Sequence, residues 1–186
     1  MTLINITLPD GTVNEYAAGI TCAEVITDAL GRKHGCLAAR IDGEECDLSR
    51  MLDTDCSVEG ILTDSDEGIH ILRHSAAHLL AQAVMALYPD AKPTIGPAID
   101  RGFYYDFAME PIAESDLKPI QKKMQEIARK NFTVERVELS DEELQQHFAG
   151  NPYKLEIIND KIEDGGGSTI YKQDEWYDLC LGPHVP

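Results

Sequence analysis

Three histidines fall within nine residues of this chain, His70, His74 and His78. A helix advances 100° per residue, so His74 and His78 lie about one turn apart on nearly the same face. Two imidazoles so placed can converge on one metal ion or one substrate. Near the other end, "DLCLGPHVP" sets Cys180 four residues before His184 around a Gly182-Pro183 bend. A cysteine and a histidine at that spacing can converge from a loop in the same way. HxxxH with a distant CxxxH has the donor number and type of a four-ligand zinc set. Each histidine taken alone has a simpler account, a boundary residue on an apolar helix satisfied by one hydrogen bond. Three of them together, with a Cys/His pair close to Trp176, favour a site. Lys154 in "NPYKLEI" lies between aromatic and apolar neighbours. It suits an anchor for a phosphate, a ribose hydroxyl or a water, but on residue type alone a snorkelling surface lysine is the expectation. His34 and His147 sit in polar surroundings and carry no signal.

The elements that must position these residues fall into two groups. In the first sixty residues, Ile4, Ile6 and Leu8 alternate with polar residues, the period of a half-buried strand. Pro9-Asp10-Gly11 turns the chain into a second strand through Val13. Thr21 and Glu24 form a capping box that opens a short helix, which Gly31 closes. Short strands fit "CLAARIDG" and "EECDL", with Asp42-Gly43 between them as a hairpin signal. Hairpin, helix and further strands is the order of a β-grasp.

The character changes near residue 62. Asp64 and Glu67 mark a helix start, and Ile69, Leu72, Ala76, Leu79, Leu80, Ala83 and Leu87 mark its apolar face up to Pro89. The predicted boundary lies at this polar stretch, giving domains 1–62 and 63–186. "PTIGPAIDRGFYYDF" reads as loop plus strand. A helix follows from about Asp116 to Lys130, then a strand through Val134 and Val137. Ser140 and Glu143 cap a short helix that Gly150 ends. Glu163 to Ser168 reads as a flexible turn between two strands, the second of which is a single run, "TIYKQDEWYDLC".

Composition sets limits on function. The chain has 186 residues, 43% apolar and 26% charged, ordinary proportions for a globular protein. No stretch approaches the ~18 apolar residues of a membrane span, and the N-terminus has no signal-peptide pattern. Five scattered cysteines are no disulfide framework, which points to a reduced, cytoplasmic protein. Cys22, Cys36, Cys46 and Cys56 are too irregularly spaced for a zinc ribbon and read as small buried hydrophobes. A formal net charge of −17 argues against a phosphate backbone as partner. Residues 118–136 run against that balance, with Lys118, Lys122, Lys123, Arg129, Lys130 and Arg136 against Glu126 and Glu135. That run is either a nucleic-acid contact or a solvated helix face, and the second is the simpler account.

Taken in order, "RHSAAHLLAQAV", "IGPAIDRGFYYDF", "YKLEI" and "DLCLGPHVP" resemble the N-terminal region of bacterial threonyl-tRNA synthetases, and the resemblance covers essentially the whole chain. It implies an α+β architecture: a β-grasp (ubiquitin-like) TGS domain, then an editing domain shared in outline with alanyl-tRNA synthetases. It further implies hydrolysis of serine mistakenly attached to threonine tRNA, with the tRNA acceptor end as partner. By the same resemblance His74, His78, Cys180 and His184 line the pocket, and Lys154 and Asp178 complete it. His74, Lys154 and His78 are the expected catalytic residues, with His74 and Lys154 holding the water. Cys180, His184 and Asp178 are expected to bind substrate, and Tyr104 and Tyr105 to wall the terminal base. No metal is expected as a fixed cofactor, although the alanyl relatives use such a constellation for zinc. The resemblance also implies an excised, monomeric fragment of a homodimeric enzyme. ATP, magnesium and a further zinc belong to the synthetase core, which this chain does not contain. A zinc-dependent small-ester hydrolase or deacylase, and a non-catalytic binding module, are the competing readings.

Overall fold

The computed structural model describes residues 2–163 and 169–186. The expected turn over Glu163 to Ser168 therefore lies, from residue 164 on, outside the described residues. Two compact units are present: residues 2–72 with 182–186, and residues 73–181.

In the first unit β1 (Leu3–Thr7) and β2 (Val13–Ala17) form an antiparallel hairpin. The short strand β3 (Ile20–Thr21) leads into α1 (Cys22–Leu30). The capping box is formed as the sequence predicts, with Thr21 accepting from the Glu24 amide and Glu24 reaching back to the Thr21 amide. β4 (Cys36–Ile41) and β5 (Glu44–Asp47) are joined by Asp42-Gly43. Both turn residues have positive φ, 49° and 93°, the demand of a two-residue type I′ turn. β6 (Met51–Leu52) pairs with β3, and β7 (Cys56–Leu62) enters the sheet parallel to β1. The sheet order β2-β1-β7-β4-β5 is that of the predicted β-grasp. Ile4, Ile6, Val25, Ile26 and Val58, all at most 2% exposed, form the core between sheet and helix. Val185 packs on a second cluster of Leu37, Ala38, Ile61 and Ile71.

Helix α2 (Asp66–Leu87) follows β7. Its cap is Ser65 rather than the Asp64 expected, since the Ser65 hydroxyl accepts from the Gly68 amide at 3.0 Å. Its inward face is also rotated from the expected one. Ala77, His78, Ala81, Gln82, Ala83 and Val84 are buried, while Leu72 and Leu87 are 46% and 36% exposed. A seam of alanines lets the Tyr105 ring pack against the helix, with the larger leucines flanking it.

In the second unit the glycine- and proline-punctuated segment folds into two nested two-stranded ladders. β8 (Lys92–Pro93) pairs with β11 (Phe107–Ala108), and between them β9 (Ala98–Ile99) pairs with β10 (Gly102–Phe103). Helix α3 (Leu117–Ala128) packs Ile120 and Ile127 against Ala83, Val84 and Ala91. β12 (Val134–Glu138) leads to α4 (Asp141–His147), capped by Ser140 and Glu143 as predicted. The stretch before residue 164 is not a strand but helix α5 (Pro152–Glu163). The expected single terminal strand is a hairpin, β13 (Thr169–Gln173) and β14 (Trp176–Leu179), turned at Asp174 with φ of 57°. These strands form an antiparallel sheet in the order β12-β13-β14. Leu144, Phe148, Ile158, Ile170 and Leu179 fill the space between that sheet and the α4–α5 pair.

Candidate active site

The second unit brings together side chains from α2, the loop before β11, α5 and the end of β14. His74 and His78 stack obliquely on α2, ring centroids 4.9 Å apart. His74 Nε2 lies 2.9 Å from Cys180 Sγ, a direct hydrogen bond across 106 residues of sequence. One ligand atom from each of His74, His78 and Cys180 lies within 4.8 Å of the others. The Cys180 backbone is fixed on both sides by Thr169, whose carbonyl accepts from the Cys180 amide and whose hydroxyl donates to the Cys180 carbonyl. His184 falls in the 182–186 segment that groups with the first unit. It is 3% exposed, and its amide donates to Asp47 Oδ1 at 2.8 Å. His70, in contrast, is exposed.

Beneath the histidines lies a buried ionic cluster. Asp178, 1% exposed, accepts from Lys154 Nζ at 2.6 Å, from the Tyr105 hydroxyl, and from the Leu179 amide at 2.8 Å. Lys154 also donates to the Tyr105 oxygen at 3.2 Å. The snorkelling lysine expected from residue type is thus 3% exposed and held by two partners. A buried charge pair survives only with good geometry and further hydrogen bonds, and both are present here. Asn151 places Lys154 by capping α5, its side-chain oxygen accepting from the amides of Tyr153 and Lys154 while its amide donates to the Pro93 carbonyl. Gly96 makes room for Tyr105, because a Cβ there would lie 2.1 Å from the ring.

Electrostatics sharpen the roles. Burial first, then the neighbouring His74 and Lys154, holds the His78 imidazole well below its usual pKa, so it is neutral near pH 7. At 3.9 Å from Asp178 Oδ2, a neutral His78 gains little from that carboxylate. Its ring instead meets the edge of Trp176 at 5.6 Å. Burial, followed by the Asp178 charge, pushes the Tyr105 phenol far above its ordinary range, so it remains a donor. The Tyr105 ring stacks on Phe107 at 4.9 Å, whereas Tyr104 is 45% exposed. The Tyr105–Asp178–Lys154 link is what sequence spacing did not reveal, since its members are 24 to 73 residues apart. Two histidines and a cysteine are donors that zinc accepts. The 2.9 Å His74–Cys180 contact is tighter than the ~3.5 Å edge of a tetrahedral zinc site with ordinary bond lengths, so a metal would have to spread that pair.

A neutral imidazole, a thiol–imidazole pair and a lysine fixed by a carboxylate can orient a water and stabilise a developing oxyanion. Comparison with known proteins gives this chemistry a family context. The TGS domain family matches residues 4–63. Across 99% of its length the chain is 48% identical to threonine–tRNA ligases of Streptococcus suis and Hyphomonas neptunium, and 44% identical to that of Streptococcus pneumoniae. It spans 29% of the length of each of these relatives. Residues 4–63 match the TGS domain family, and the chain as a whole is similar to the N-terminal part of threonine–tRNA ligases.

Proposed function

We propose that the second unit hydrolyses the seryl ester of tRNA(Thr), the error that a threonine-selecting enzyme most needs to remove. Serine is threonine without one methyl group, and a binding pocket discriminates such a difference by only about 1–3 kcal/mol. A second, hydrolytic site supplies the missing selectivity. The observation that carries the reading is the His74–Cys180 pair set against the buried Lys154–Asp178–Tyr105 cluster, in a chain aligned with threonine–tRNA ligases.

In this proposal the half-buried His74 orients the attacking water. Lys154 has three donors, two of them given to Asp178 and Tyr105, and the third meets the water or the carbonyl oxygen. The water oxygen bonds to the ester carbonyl carbon, and the bond to the ribose oxygen breaks. That oxygen leaves with a proton, releasing serine and an intact tRNA end. His78, kept neutral, orders the site without adding charge beside Lys154. Cys180 recognises the serine hydroxyl. Tyr104 offers a face to the terminal base, and exposed Lys118, Arg129 and Lys130 on or near α3 offer charge to the phosphates. Zinc chemistry is not part of the proposed step.

Deacylation of Ser-tRNA(Thr) by His74→Ala, Lys154→Met and Cys180→Ala tests these roles. Loss of His74 or Lys154 is expected to lower the rate by about 10²–10⁴-fold, the range of a positioned acid–base group. Cys180→Ala is expected to raise KM for the seryl substrate more than it lowers kcat. Wild-type rates in folded His74→Ala would remove the imidazole from the mechanism.

A further inference from the structure

Outside the proposed site, the first unit holds a second pair of reactive side chains. Cys22, the first residue of α1, and Cys46, on the edge strand β5, face each other with sulfurs 3.9 Å apart. All five cysteines of the chain are thiols. The two backbones are held together independently of the sulfurs. The Cys22 amide donates to the Arg50 carbonyl at 3.0 Å, and the Ala23 amide donates to the Leu48 carbonyl at 2.8 Å. Closing 3.9 Å to a bond of about 2.05 Å requires each sulfur to move by roughly 1 Å, within the reach of a χ1 adjustment.

We propose that Cys22 and Cys46 are a peroxide-responsive dithiol that closes to an intramolecular disulfide, pinning the start of α1 to the edge strand of the sheet. The two sulfurs differ in exposure. Cys22 is fully buried, whereas Cys46 is half-buried and is the more accessible residue of the two. The two thiols share one hydrogen bond, in which either sulfur can donate. Cys22, in contact with the Cys46 sulfur, is the attacking thiol of the second step. In the first step the Cys46 sulfur bonds to a peroxide oxygen, the O–O bond breaks, and a sulfenic acid and an alcohol or water are formed. In the second the Cys22 sulfur attacks that of Cys46, the S–O bond breaks, and water leaves with the Cys22 proton. Two thiols and one peroxide thus become one disulfide, one water and one reduced peroxide. Cys56 packs against the same core and is the competing partner.

The test is hydrogen peroxide treatment of the native chain, alkylation of remaining thiols after unfolding, and peptide mapping. A peptide joining Cys22 to Cys46, reversed by dithiothreitol and formed by at least half of the molecules before Cys36 is modified, is expected. Cys46→Ser should abolish the link, and Cys56→Ser should leave it unchanged. A Cys46–Cys56 link overturns the proposal, as does Cys46 sulfinic acid with Cys22 recovered as a thiol. Circular dichroism of both serine variants establishes that they are folded. If Cys46→Ser does not fold, Cys46→Ala carries the same readout.

Discussion

Asp178 organises the candidate site more than any histidine does. It accepts from Lys154, Tyr105 and the Leu179 amide while almost wholly buried. Asp178→Asn would leave the Lys154 ammonium buried without a counter-charge, a change that typically costs about 3–5 kcal/mol. A urea-denaturation midpoint lowered to match is expected, and a loss under about 1 kcal/mol would show that Lys154 is not dependent on this carboxylate. His78 gives a pH signature. Its folded-state pKa lies well below the roughly 6.5 of an unfolded histidine. Between those two values the unfolded chain binds a proton that the native chain refuses, so stability falls as pH drops below about 6.5. His78→Gln should flatten that part of the stability profile relative to wild type, as read by melting temperatures at pH 7.5 and 5.5. Parallel profiles would show that His78 ionises as readily in the fold as outside it. The sequence marked His74, His78 and Cys180 by type and spacing. Nothing local marked the phenol of Tyr105 as a carboxylate partner, because that pairing exists only once α5 and β14 are packed.

The elements divide by how local their signals are. Thr21/Glu24 and Ser140/Glu143 were legible because a capping box is contained in four residues. Asp42-Gly43 was legible because its turn demands positive φ. Helix α5 was missed although Asn151-Pro152 is a cap followed by an N1 proline. The β-branched run Ile157-Ile158 and the glycines after it favoured a strand, and tertiary burial of Ile158 overrode that preference. The inward face of α2 was misplaced for a related reason. Large leucines dominate a sequence pattern, but the small Ala77 and Ala81 face Tyr105. Asn151→Ala removes the α5 cap and the bond to the Pro93 carbonyl together, and it should lower stability by about 1–2 kcal/mol. Deacylation should slow with it, since Lys154 lies in the first turn of α5. An unchanged unfolding midpoint would mean that packing alone sets the register of this helix.

At the scale of the molecule, a TGS domain and a second α+β unit share a chain with a net charge of −17 and no helix, among the described residues, long and apolar enough to cross a membrane. The β-grasp was legible because its hairpin, helix and strand order is written in short-range signals. In the second unit α2, α3 and α4 were legible from apolar spacing and caps, whereas the nested two-residue ladders leave little periodicity to read. Its local basic helix is partly neutralised, Lys122 and Lys123 both reaching Glu126, so recognition of tRNA is expected to rest on the chemistry of the acyl end more than on bulk charge. The measurement that bears most directly on the central claim is single-turnover deacylation of Ser-tRNA(Thr) and Thr-tRNA(Thr) by this chain, with and without a chelator. The account predicts hydrolysis of the seryl ester, unaffected by chelation and at least about 10-fold faster than that of the threonyl ester, the minimum one methyl group provides. Equal rates for the two esters, or activity abolished by the chelator and restored by zinc, would contradict it.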